Sequence, residues 1–306
     1  MEKLLIKGGK SLNGEIDCSG AKNAALPVIA AAILSSEDVT LKNLPYLQDI
    51  TTMFELIGSM GADISLDEKM NFKLNTSNLS NLEARYELVK TMRASILVLG
   101  SMIARYGYAK IALPGGCAIG SRPVNYHLKA LEKLGAKISL NNGYIEAKAE
   151  KLVGAEIEFE GVTVTGTENL MMAASMAEGV SKLTNVAKEP EISDLADFLN
   201  SMGANISGAG TDEIRIEGVK ELRGTTFEIP ADRIEAGTYL VAAALTNGKI
   251  RIKKIDASRM GAVIETLQKA GAEVISNDNS ISLDMTNNII KPVDIITAPF
   301  PGFPTD

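Results

Sequence analysis

The chain has 306 residues, 45% hydrophobic and 23% charged, with 27 glycines and no tryptophan, which excludes a disordered or fibrous protein. A formal net charge of −7, with no Lys/Arg cluster, argues against a nucleic-acid partner but is compatible with a locally basic anion site. Two cysteines, Cys18 and Cys117, make no disulfide framework, and a single histidine leaves too few soft ligands for zinc, so no metal is expected.

Taken from the start, MEKLLIKGGKSLNGE lacks the apolar segment and cleavage site of a signal peptide. The most apolar run, 24–34, is too short to span a bilayer and contains Pro27. A cytoplasmic protein with free thiols and no membrane partner is expected. A helix of small apolar residues is predicted over 21–35, followed by a strand over 39–44 and an amphipathic helix. The same order recurs, with small-residue helices at 91–107, 167–179 and 232–248 and strands at 109–114, 181–186 and 249–255. The amphipathic helices end alike, in LIGSMGADISL (56–66), LEKLGAKISL (131–140), FLNSMGANISG (198–208) and LQKAGAEVIS (267–276). Their Gly-Ala pairs begin at 61, 135, 203 and 271, at intervals of 74, 68 and 68 residues. Glycine just past an apolar stripe, then alternating residues, is a helix C-cap feeding a strand. Few charges follow the first turn of the small-residue helices, which implies burial on most sides.

Alternating helices and strands predict an α/β (α+β) class with helices packed under sheets. The small-residue helices start with Lys22/Asn23, Arg93, Thr167/Glu168 and Arg233/Glu235, which converge if the units pack around a common axis. After the fourth unit, NIIKPVDIITAPFPGFPTD is predicted to begin another strand and turn, so that the chain reads as C-terminally shortened within a fifth unit.

One loop carries reactive groups: Leu113-Pro114-Gly115-Gly116-Cys117-Ala118-Ile119-Gly120-Ser121-Arg122-Pro123. Its glycines permit close backbone approach, Ser121 suits a helix cap, and Pro123 suits a first helical turn. From Val124, the positions of Leu128, Leu131 and Leu134 keep helical spacing. Cys117 and Arg122 would thus face a positive helix end, which favours anions and lowers a thiol pKa. The residues alone favour a buried cysteine in an ordinary glycine turn. Lys22 and Arg93 alone read as solvated charges, His127 as a surface or packing residue, and Cys18 as a small structural hydrophobe. Met171, Met172 and Met176 read as core.

Six blocks, SGAKNAALP (19–27), VKTMRAS (89–95), LPGGCAIGSRPV (113–124), EPEISDL (189–195), DRIEAGT (232–238) and PFPGFPTD (299–306), occur in register. Together they resemble the UDP-N-acetylglucosamine enolpyruvyl transferases along the whole chain. The resemblance implies an inside-out α/β barrel of repeated helix-and-sheet units, about four of six present. It implies a complete first domain over 22–230, and a partial second from 1–21 plus 231–306. It also implies transfer of the enolpyruvyl group of phosphoenolpyruvate to the 3′-hydroxyl of UDP-N-acetylglucosamine, with release of phosphate and no cofactor.

By the same resemblance, Cys117 protonates the methylene carbon and forms a phospholactoyl adduct; a thiol with pKa ~8.5 is mostly protonated at neutral pH and can donate. Lys22 and Arg122 neutralise the phosphate and carboxylate, with Asn23 beside Lys22. Arg93 meets the nucleotide-sugar, and Asp306 accepts the sugar hydroxyl proton. Pro123, Val124, Asn125 and Tyr126 line the nucleotide-sugar site, while Thr163, Val164 and Thr165 contact the diphosphate mostly through backbone groups. His127 becomes a pocket-supporting residue. Where the family has Pro-Val-Asp-Leu-His, this chain has Pro123-Val124-Asn125-Tyr126-His127, losing a carboxylate and placing a larger ring near the uracil position. The family's later arginines lie past Asp306, so little turnover is expected of the 306-residue chain. The competing readings are the shikimate 3-phosphate sibling, which uses no cysteine acid in a PGGC loop, and a non-catalytic nucleotide-sugar-binding paralogue. The joint presence of Lys22, Arg93, Cys117, Arg122 and Asp306 disfavours the paralogue.

Overall fold

A computed structural model describes residues 3, 5–113 and 124–305. The chain forms two compact units, Lys22–Ile229 and Met1–Ala21 with Pro230–Asp306. Strand β1 (Asn13–Asp17) comes first. The larger unit then opens with α1 (Lys22–Ala31), which tightens into a 3₁₀ turn at Ala32–Leu34. It continues through β2 (Val39–Lys42), α2 (Gln48–Ser59), β3 (Asp63–Leu66) and β4 (Phe72–Asn75). The second repeat comprises β5 (Glu83–Ala84), α3 (Tyr86–Val89), a 3₁₀ turn at Arg93–Leu97, α4 (Val98–Tyr106), β6 (Tyr108–Ala112), α5 (Asn125–Lys133), β7 (Lys137–Asn141) and β8 (Tyr144–Lys148). The third comprises β9 (Glu156–Glu158), α6 (Val164–Ala174), β10 (Val180–Thr184), α7 (Pro190–Ser201), β11 (Asn205–Ser207) and β12 (Glu213–Glu217), and β13 (Thr226–Glu228) closes the unit.

Small side chains put α1, α4 and α6 at the centre. Every residue of α1 from Ala24 onwards is buried, and α4 and α6 approach so closely that a Cβ added at Gly100 would lie 2.3 Å from the Asn169 carbonyl oxygen. Three four-stranded sheets surround them, ordered β13-β2-β4-β3, β5-β6-β8-β7 and β9-β10-β12-β11. In each sheet the strand after the central helix pairs in parallel with a leading strand and antiparallel with the last strand. Burial alternates along strands such as β12, so each sheet turns its apolar face inward and its polar face to water. Helices inside and sheets outside make the inside-out α/β arrangement.

The smaller unit repeats the pattern once, with α8 (Arg233–Leu245), β14 (Lys249–Lys253), a 3₁₀ turn at Ala257–Met260, α9 (Gly261–Lys269), β15 (Glu273–Asn277) and β16 (Ser280–Asp284). Its sheet order is β1-β14-β16-β15, with Cys18, Leu240, Ile252, Ile281 and Leu283 in the core beneath. Two leading strands are exchanged: β1 precedes α1 in sequence but pairs with β14, and β13 precedes α8 but pairs with β2. The exchange pairs 13–17 with 249–253 and 226–228 with 40–42, segments far apart in the chain.

All four Gly-Ala junctions end their helices in the same way. Gly61, Gly135, Gly203 and Gly271 have φ between 99° and 109°, a region that penalises a Cβ. The next N–H, on Ala62, Ala136, Ala204 or Ala272, reaches back to the carbonyl of Ile57, Leu131, Leu199 or Leu267 at 3.0–3.3 Å, the Schellman bond.

Three expectations are corrected. The third central helix begins at Val164, not 167, because Thr163 caps it by accepting the Gly166 N–H at 3.2 Å. Thr167 and Glu168 therefore lie inside the helix and are buried, rather than standing at its start. The C-terminal stretch makes no strand: 288–296 carries no ladder, Pro292 has no N–H to give one, and only a bridge between Thr297 and Phe303 with a turn over 299–302 follows. Cys18 is buried but is not merely a hydrophobe. Its thiol donates to the Asp232 carbonyl at 3.2 Å and to Glu235 Oε2 at 3.4 Å, and burial pushes its pKa up to about 12. No helix among the described residues is long and apolar enough to cross a membrane.

Candidate active site in the larger unit

Helix starts converge on one cleft of about 610 Å³, a size suited to a small-molecule ligand. Lys22, Asn23 and Leu26 enter from α1, and Asp49 from the first turn of α2. Met92, Arg93, Ala94 and Ile96 come from the 3₁₀ turn leading into α4, and Val124, Tyr126 and His127 from the start of α5. Val162, Thr163, Val164 and Thr165 come from the start of α6. The first N–H groups of α6, on Val164 and Thr165, have no intrahelical acceptor, so they and the helix dipole present positive character at the wall. The Lys22 ammonium stands 3.3 Å from Asp49 Oδ2, with both side chains about two-fifths exposed (41% and 37%). The ammonium is thereby paired on the cleft wall while staying accessible to solvent.

A polar chain lies behind this wall. His127 is 3% exposed. Its Nδ1 lies 2.9 Å from Asn169 Nδ2, and its Nε2 lies 3.2 Å from Thr165 Oγ1. Burial, reinforced by the Arg93 charge, lowers the His127 pKa to about 4, so the ring is neutral at pH 7. Next to Asn169 on α6, Glu168 is 2% exposed; burial, with the charges of Glu191 and Glu189 adding, raises its pKa to about 8. Glu168 is therefore largely protonated at neutral pH.

The cleft brings together Lys22, Asn23, Arg93, Val124, Tyr126, Thr163, Val164 and Thr165. Asn125 opens α5 and is exposed, and it is not among the described residues lining the cleft. Tyr126 lines it and packs its hydroxyl end against Gly161, where an added Cβ would sit 3.1 Å from the oxygen. Cys117, Arg122, Pro123 and Asp306 lie outside the described residues. Sequence reasoning missed Asp49 and Asn169. The signal for Asn169 was present as one carboxamide inside an apolar helical run, Leu170-Met171-Met172 following it directly. Met171 and Met172 are fully buried, and Met176 only partly. No group of three or more His, Cys, Asp or Glu side chains among the described residues is arranged to hold a metal ion.

Comparison with known proteins places this cleft in context. The family described as EPSP synthase (3-phosphoshikimate 1-carboxyvinyltransferase) matches residues 6–306. The UDP-N-acetylglucosamine 1-carboxyvinyltransferase of Hydrogenovibrio crunogenus is 54% identical over 306 residues, covering 100% of this chain and 73% of the relative. The enzyme of the same name from Coxiella burnetii (strain RSA 493 / Nine Mile phase I) is 56% identical over 307 residues, covering 100% of this chain and 71% of that protein. The chain belongs to the UDP-N-acetylglucosamine 1-carboxyvinyltransferase family. It is a transferase. Solved structures share the fold at lower identity. The enolpyruvyl transferase NikO of Streptomyces tendae superposes with a TM-score of 0.84 at 21% identity, over 97% of this chain and 71% of that one. EPSP synthase of Acinetobacter baumannii gives 0.72 at 19% identity, over 95% and 68%. The inside-out helix-and-sheet architecture is thus the enolpyruvyl transferase fold.

Proposed function

We propose that the chain transfers the enolpyruvyl group of phosphoenolpyruvate to the 3′-hydroxyl of UDP-N-acetylglucosamine, releasing phosphate, in the first committed step of peptidoglycan precursor synthesis. The observation that carries the reading is the cleft of helix starts, with Lys22, Arg93 and the open end of α6 on its walls, in a chain of this family. A ligand with several phosphate charges needs such cations and N–H groups, because an unneutralised dianion in a closed site is costly. Arg93 and the start of α6 suit the nucleotide diphosphate, and Lys22 with Asn23 suits the phosphate of phosphoenolpyruvate.

The chemistry is addition followed by elimination. The sugar 3′-hydroxyl adds to the central carbon of phosphoenolpyruvate as its proton passes to Asp306, and the Cys117 thiol delivers a proton to the methylene carbon. The Cys117 thiolate then takes a proton back from the resulting methyl group, which restores the double bond and expels phosphate, and the departing phosphate carries off the proton held by Asp306. Cys117, Asp306 and Arg122 enter on their sequence match to the family, and Pro123, Val124, Asn125 and Tyr126 enter as the nucleotide-sugar segment. A complete first domain over 22–230 and a partial second from 1–21 plus 231–306 belong to the same reading. So do a cytoplasmic location and roles in cell wall biogenesis, cell shape, the cell cycle and cell division.

Calorimetry on the 306-residue chain separates this from the sibling reaction. UDP-N-acetylglucosamine is expected to bind and shikimate 3-phosphate is not. Binding of the shikimate ligand alone would overturn the assignment. Nucleotide-sugar binding with no phosphate release, even from the longer relatives' form of the chain, would favour a non-catalytic binding protein.

A further inference from the structure

The start of α6 is tied to the interior of the larger unit by a chain of hydrogen bonds whose direction can be read atom by atom. The Gly100 N–H donates to Asn169 Oδ1 at 2.7 Å, which fixes the carboxamide with its oxygen towards α4. Asn169 Nδ2 therefore faces the other way, donating to the Ile96 carbonyl at 3.0 Å and lying 2.9 Å from His127 Nδ1. An amide nitrogen only donates, so Nδ1 accepts, and a neutral imidazole with an accepting Nδ1 carries its proton on Nε2. Nε2 lies 3.2 Å from Thr165 Oγ1, so the ring donates and the hydroxyl accepts. The hydroxyl proton of Thr165 is then directed away from the ring, on a half-buried residue that lines the cleft.

We propose that Asn169 is a positioning residue: by fixing His127 as the neutral Nε2–H tautomer, it makes the Thr165 hydroxyl a hydrogen-bond donor to an anionic diphosphate oxygen in the cleft. The proposal rests on the nucleotide-sugar reading above. Phosphate oxygens only accept hydrogen bonds, so a hydroxyl whose proton was committed to the ring would turn lone pairs towards them. With the proton released, Thr165 adds a side-chain donor beside the backbone N–H groups at the start of α6. The proton's place is set by residues from three other segments: Gly100 on α4, Ile96 on the preceding 3₁₀ turn, and His127 on α5. Burial and the facing Arg93 charge support the neutral ring.

His127 is the chain's single histidine, so labelling histidine with ¹⁵N yields one ring spectrum. The expected wild-type spectrum at pH 7 shows Nε2 protonated and Nδ1 as a bare acceptor. A ring protonated on Nδ1, or an imidazolium, would overturn the proposal. Asn169→Asp offers Nδ1 an acceptor instead of a donor. It is expected to move the proton to Nδ1 or charge the ring, and to weaken UDP-N-acetylglucosamine binding about tenfold by calorimetry. Thr165→Val is expected to weaken binding by about the same factor with the wild-type ring spectrum retained, and Thr165→Ser to restore it. Unchanged affinity in Thr165→Val, or an unchanged tautomer in a folded Asn169→Asp, sinks the proposal. Failure of the wild-type chain to bind UDP-N-acetylglucosamine would instead sink the functional reading, and the ring spectrum would still decide the tautomer.

Discussion

Replacing Glu168 by glutamine should make the protein's stability less sensitive to pH. Glu168 lies inside α6, 2% exposed, and burial with the charges of Glu191 and Glu189 raises its pKa from an ordinary 4.5 to about 8. For an acid with a raised folded-state pKa, the unfolded chain binds fewer protons than the native state between those two values. Stability is therefore fully present below pH 4.5 and is lost as pH rises through about 8. The gap corresponds to about 5 kcal/mol at its limit, at 1.36 kcal/mol for each pH step. Glutamine has nearly the same shape and no ionisation, so its packing cost is the same at every pH. Urea unfolding of wild type and Glu168→Gln at pH 5 and pH 8 isolates the effect. The contribution of His127, which runs oppositely and is lost as pH falls from 6.5 to about 4, is common to both proteins and cancels. The variant should gain on the wild type by several kcal/mol between pH 5 and pH 8. An equal stability difference at the two pH values would show that Glu168 is ionised, or paired, in the folded protein.

Other substitutions test the packing and the cleft. Gly100→Ala drives a Cβ to within 2.3 Å of the Asn169 carbonyl oxygen and should cost about 1–3 kcal/mol, measured as a lowered urea midpoint with an unchanged slope. Arg105 bonds the carbonyls of Ile33, Ser35 and Thr76 and the Thr76 hydroxyl through one nitrogen, at 2.7–3.2 Å. Arg105→Met should destabilise the larger unit by about 2–3 kcal/mol, and an unfolding curve identical to wild type would refute that. Arg93→Ala should weaken UDP-N-acetylglucosamine binding about tenfold or more, and raise the His127 pKa above about 4, because the Arg93 charge is one of the two causes of its depression. Titration of the single histidine's ring signal checks the second half: no upward movement would separate Arg93 from His127.

The sequence by itself determined the repeat, because its signals are local. A glycine at positive φ followed by alanine closes each amphipathic helix with a bond spanning only five residues, so Gly61, Gly135, Gly203 and Gly271 announce themselves without any partner. The buried character of α1, α4, α6 and α8 was legible for the same reason, in runs of small side chains. The start of α6 was not, because Val164 reads as strand or helix until Thr163 caps the turn. Tertiary structure alone decided three things. The first is the strand register of the exchange: the resemblance placed 1–21 with the second domain, but only the structure pairs β13 back onto β2 and fixes partners more than 180 residues apart, such as Thr40 with Thr226 and Asn13 with Lys249. The second is the geometry of the cleft: the motif blocks grouped Lys22, Arg93, Tyr126 and Thr163, and the packing of helix starts adds Asp49, with its carboxylate 3.3 Å from Lys22. The third is the protonation of His127. Asn169, Gly100, Ile96 and Thr165 are dispersed along the chain, and only at 2.7–3.2 Å do their donors and acceptors fix where one proton must sit.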